Sequence, residues 1–110
     1  MGTGNNLAAL EYFTRVVEAS PDFAEGWNKR ATANYLLGRF DASVIDIEKT
    51  LALEPRHFGA LSGLALINLA LDREREALKA FEAAMQVHPN LPGANTHIRA
   101  LREKIHGKGI

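Results

Sequence analysis

The side chains that could do chemistry are few and badly spaced for it. Four histidines, His57, His88, His97 and His106, lie 31, 9 and 9 residues apart. No two stand at i and i+4, and the chain has no cysteine, so the paired ligands that hold a zinc ion are missing. The lack of cysteine also removes disulfide and thiol chemistry and leaves the redox compartment open. Gly59-Ala60-Leu61-Ser62-Gly63 has the composition of a serine-hydrolase elbow but not its spacing, and it falls inside a predicted helix with no strand before it. No glycine loop suited to cradling phosphate occurs. These patterns imply a chain that is not an enzyme and takes no metal and no cofactor. His57 and His88, each near a proline, are expected to cap helix C-termini, where a partly positive ring is favoured.

Charge gives no stronger lead. The 13 Lys and Arg balance the 13 Asp and Glu, so no broad field draws in nucleic acid or an anionic membrane. Arg73-Glu74-Arg75-Glu76, with Lys79 and Glu82, reads as a solvated helix face whose i,i+3 and i,i+4 pairs contribute about 0.2–0.5 kcal/mol each. Arg99, Arg102, Lys104, His106 and Lys108 make a modest basic end. Apolar runs such as Leu64-Ala65-Leu66-Ile67 stop well short of the ~20 residues that span a bilayer, so no membrane insertion is expected. Met1 to Asn6 lacks the basic and apolar regions of a signal peptide. Cytoplasmic location is the default expectation, and a periplasmic or exported one the alternative if the chain is a C-terminal fragment.

The elements that would position these groups follow a beat. Pro21, Pro55 and Pro89 recur every 34 residues, and so do Phe13, Ile47 and Phe81, and Ala9, Ser43 and Ala77. With almost no strand signal, a period of that length predicts stacked helical hairpins. Using the prolines as punctuation, Leu7, Leu10, Phe13, Val16 and Val17 form one apolar stripe ending before Pro21. Asp22 with Glu25 suggests a capping box for a second helix that carries Phe23, Trp27, Ala31, Tyr35 and Leu36 and stops at Gly38. Asp41 opens a third helix with Val44, Ile47, Thr50 and Leu51 inward. A fourth, apolar over most of its girth, runs from about 58 to 71, a fifth from 74 to 87, and a sixth from about Pro92. Short links force antiparallel neighbours. Small residues recur where backbones must approach (Ala31 and Ala65, Thr50 and Ala84), and large ones where hairpins interlock (Trp27 and Leu61). The fold class expected is all-α, a right-handed α-α superhelix of about six helices. A chain of 110 residues buries roughly 65% of its unfolded surface, enough for a core of its own.

Trp27, Ala31, Gly38, Phe40, Ser43, Ile47, Thr50 and Pro55, then Leu61, Leu64, Ala65, Asp72, Ala77, Phe81, Ala84 and Pro89, stand at the spacing of the tetratricopeptide repeat, which the chain resembles. The stretch from Leu51 to Leu64 is also similar to the C-terminal part of bacterial proteins of that kind. The resemblance implies a single domain: 5–21 as the second helix of a truncated repeat, 24–57 and 58–91 as full repeats, and 92–106 as a capping helix. Arg30 stands where the family usually has Leu, and Asn34 and Asn68 where it usually has Tyr.

In such stacks the first helix of each repeat lines a concave surface. The spacing then places Glu25, Asn28, Thr32 and Tyr35 in a peptide-binding groove, with Gly59, Ser62, Leu66 and Leu69 from the next repeat and Gly93, Thr96 and Ala100 from the last helix. The function implied is a scaffold holding a segment of a partner protein. Some family members grip a chaperone's C-terminal carboxylate with Lys and Asn, but the matching places here hold Asn28, Thr32, Ser62 and Leu66. That mode is not expected. The alternative is a structural role in which Leu7, Leu10, Phe13 and Val16, bare on the flank where a preceding helix would pack, drive a homodimer or mark a truncation.

Overall fold

Two kinds of turn, each repeated at the 34-residue interval, set the helix order. In a computed structural model that describes residues 2–89 and 94–107, the helices are α1 (Gly2–Ala19), α2 (Ala24–Leu36), α3 (Phe40–Leu53), α4 (Phe58–Ala70), α5 (Glu74–Val87) and α6 (Ala94–Gly107). Among the described residues there is no strand. Pro92, Gly93 and Lys108 lie outside them. After α2 the Arg39 N–H donates to the Asn34 carbonyl at 2.8 Å, and after α4 the Arg73 N–H donates to Asn68 at the same distance. Each turn has a left-handed residue at its centre, Gly38 (φ 77°) and Asp72 (φ 58°), the geometry that satisfies the last carbonyls of a helix. The proline turns are also alike: Phe23 N–H donates to Ser20 and His57 N–H to Glu54, both at 3.0 Å.

Helix starts depart from expectation. The N-cap of α2 is Phe23, with no side-chain cap bond, so the Asp22–Glu25 capping box does not form. Glu25 is instead drawn to Lys29 and His57. The third helix begins at Phe40 and Asp41 falls in its first turn. Phe23 and Leu36, placed in the apolar stripe of α2 by period, are exposed.

The described residues pack as two compact units, Met1–Ala60 and Leu61–Ile110, with the division inside α4. In the first, α2 packs against both α1 and α3. Approach is close at small residues: a Cβ on Gly26 would come within 2.9 Å of the Val16 side chain, and the Ser43 hydroxyl donates to the Ala31 carbonyl at 2.7 Å. Ile47, Ala31 and Thr50 are buried there. In the second, Ala65, Ala77, Ala80, Phe81, Ile98 and Leu101 form one core with Leu64, Leu69, Leu78 and Met85 against it. A large apolar side chain buried this way contributes roughly 1.5–3 kcal/mol. Two carboxylates of α5 pair across to α6, Glu74 with Lys104 and Glu82 with Arg102. The hydrogen bond to Glu74 holds the Lys104 ammonium above its ordinary pKa.

Candidate functional site

The positions 25, 28, 32 and 36 share one side of a helix by its 3.6-residue period, and α2 presents Glu25, Asn28, Thr32 and Leu36 there. Thr32 and Leu36 are exposed, and Glu25 and Asn28 half-buried. The Thr32 hydroxyl donates to the Asn28 carbonyl at 3.2 Å, leaving its lone pairs outward. The Asn28 amide makes no hydrogen bond among the described residues. It lies beside Gly59, where a Cβ would come within 3.3 Å of Asn28 Nδ2 and of the His57 ring, so the glycine leaves the amide its space.

His57 anchors this face. Its Nδ1 accepts the Ala60 N–H at 3.1 Å. Nε2 therefore carries the ring proton and donates it to Glu25 Oε1 at 2.8 Å. The ring thus caps the N-terminus of α4, not the C-terminus of α3 as its place after Pro55 suggests. His88 does stand at the C-cap of α5. Both nitrogens of His57 are committed, so the pair holds structure and cannot act as a base toward a nucleophile. Among the described residues no three His, Cys, Asp or Glu side chains gather to hold a metal ion, and no helix is long and apolar enough to cross a membrane.

The other sequence-derived residues fall as follows. The Tyr35 ring is half-buried against Phe40, centroids 5.5 Å apart. In the second unit, Leu66 is 42% exposed, Leu69 packs on the core, Thr96 is exposed, and the Ser62 hydroxyl is buried with no partner. On α1, Leu7 is 45% exposed, Leu10 and Phe13 are half-buried, and Val16 packs at Gly26.

Sequence reasoning placed Gly59 on this face but passed over Leu36 and the contact of His57 with Glu25. The i+4 step from Thr32 would have found Leu36. It missed a buried network too. Arg30 Nε and Nη2 donate to both oxygens of Asp46 at 3.0 and 2.8 Å, and Asn34 Nδ2 adds a third bond at 3.1 Å. Asp46 is 1% exposed, and its hydrogen bond keeps the Arg30 guanidinium above its usual pKa. Arg30 and Lys49 lie over the Trp27 ring, 5.2 and 5.5 Å from its centroid.

The sequence pattern of the tetratricopeptide repeat matches residues 1–51. A TPR repeat-containing protein of Rhizobium etli is 41% identical over 102 residues, 93% of this chain and 50% of that protein. A Protein SGT1 homolog of Bos taurus is 28% identical over 100 residues, 91% of this chain and 30% of its own length. The chain thus spans half or less of these relatives. The structure of the first TPR of Spaghetti (RPAP3) bound to an HSP90 peptide superposes with a TM-score of 0.87 at 24% identity, covering 94% of this chain and 82% of that one. MamA gives 0.84 at 22% identity, covering 94% and 55%. At these identities the likeness concerns the fold alone.

Proposed function

The chain belongs to the tetratricopeptide repeat family, and on that premise we propose that it is a non-catalytic module that receives a segment of a partner protein on the Glu25–Asn28–Thr32–Leu36 face of α2. The observation that carries this is the unpaired Asn28 amide. An amide offers donors and an acceptor together, which suits the backbone of an extended segment. Thr32 adds an acceptor, and Leu36, 59% exposed, an apolar contact. The Glu25–His57 bond fixes the helix beneath them, so little ordering accompanies binding. In the second unit, Leu66 and Thr96 are the exposed side chains we assign to partner contact.

The Spaghetti domain holds the HSP90 peptide SRMEEVD. Here Lys29 is turned to Glu25, and Asn28, Thr32, Ser62 and Leu66 bring no cation. A terminal carboxylate would lose its water without an offset, so we assign the site to an internal segment. A face this short gives micromolar affinity, about −8 kcal/mol. Capture from extract of the source organism, wild type beside an Asn28→Arg, Thr32→Glu variant, tests it. A partner lost by the variant at unchanged melting temperature supports the assignment; equal recovery counts against it.

One observation favours self-association as a second reading: Leu7 and Ile45 stand 45% and 64% exposed in the first unit. Sedimentation velocity across concentrations distinguishes it. A dimer dispersed by Leu7→Glu with Ile45→Glu supports it, and a monomer at all concentrations removes it.

A further inference from the structure

Within the second unit, the start of α5 and the end of α6 enclose a groove of about 440 Å³ lined by Arg75, Glu76, Leu78, Lys79, Ile105 and His106. That volume lies in the range, roughly 300–1,000 Å³, that receives a small ligand or a few side chains. Its floor is apolar, because Leu78 and Ile105 are turned into the unit's packing. Its rim is cationic for a reason legible in the ion pairs. Two of the carboxylates on α5 are taken up by α6, Glu74 by Lys104 and Glu82 by Arg102. Arg75, Lys79 and His106 are left with no hydrogen bond or ion pair among the described residues, against the single carboxylate of Glu76.

We propose that this groove docks an acidic amphipathic segment of a partner protein, with one or two aliphatic side chains on Leu78 and Ile105 and flanking carboxylates on Arg75 and Lys79. Charge complementarity selects the occupant. A phosphate backbone would leave the apolar floor unfilled and meet Glu76, whereas a carboxylate-flanked aliphatic residue satisfies floor and rim together. The surface is separate in residues and chemistry from the α2 face, so either assignment can fail without the other.

The test uses isotope-labelled protein titrated with the peptide Asp-Glu-Leu-Asp-Glu-Leu-Glu and with its neutral counterpart Asn-Gln-Leu-Asn-Gln-Leu-Gln. Saturable shifts at the Leu78, Lys79 and Ile105 amides are expected for the acidic peptide, with about tenfold weaker binding of the neutral one at low salt. Arg75→Gln with Lys79→Gln, both at exposed positions, should weaken the acidic peptide about fivefold to tenfold with the melting curve unchanged. Leu78→Ala should weaken both peptides. No saturable shift at millimolar peptide, equal binding of the two peptides, or shifts confined to other residues would overturn the proposal. So would self-association abolished by the Gln variant, which would make a second copy the occupant.

Discussion

Asp46 is a carboxylate placed where a charge has no business without partners, and it has three hydrogen bonds. The second repeat does without the arrangement: 34 residues on from Arg30 and Asp46 stand Leu64 and Ala80, both in its apolar packing. One chain therefore contains both solutions to the same position. Arg30→Leu alone should cost about 3–5 kcal/mol, because it strands a buried charge. Arg30→Leu with Asp46→Ala, which copies the second repeat, should recover most of that loss, and urea unfolding of the cycle measures the coupling. Sequence showed only that Arg30 and Asn34 were out of pattern. The partner of Arg30 lies 16 residues away on another helix, and Asp46 reads as one polar residue among several. Gly59 carries a second prediction at this scale. Gly59→Ala should leave the melting temperature nearly unchanged, since alanine's helix preference over glycine is offset by the tight approach of its Cβ to Asn28 and the His57 ring, yet weaken partner capture by crowding Asn28. Unchanged capture would separate Asn28 from binding.

At the scale of elements, periodicity and turn residues located the helices well, and α5 was expected from 74 to 87, as observed. Starts were read less well than ends. A left-handed C-cap is announced by glycine at a fixed offset, while an N-cap is one of several competing bonds: Glu25 goes to His57 across 32 residues, a contact no local pattern shows. Exposure of Phe23 and Leu36 has the same origin, since period assigns a side but not what covers it. The paired caps give a symmetrical prediction. Gly38→Ala forces a Cβ into φ 77° and should lower stability by about 1 kcal/mol, roughly 4 °C. Asp72→Gly relieves φ 58° at the equivalent turn, a gain of about 1 kcal/mol that the looser unfolded chain largely offsets, so the melting temperature should rise only slightly. Ala65, fully buried in the second core, sets a steric limit. Ala65→Trp should overpack it by about 1–3 kcal/mol or more and flatten the thermal transition.

For the whole molecule, the 34-residue beat was enough to reach the family, because one helical hairpin cannot bury its apolar face alone and must repeat. It was not enough to reach the partner. Surface residues on such a scaffold are free of the packing rules that make a core legible; the proposed contacts Asn28, Thr32 and Leu36 stand out from ordinary surface only by the unpaired amide of Asn28 and the bare side chain of Leu36. The most direct measurement is site-specific photo-crosslinking in extract of the source organism, with the photoreactive residue at position 28 or 32 on the α2 face and, as control, at exposed Glu48 on α3. The account predicts one partner protein crosslinked from 28 and 32 through an internal segment, and none from 48. Crosslinks from 48 alone, or only to another copy of this chain, would contradict it.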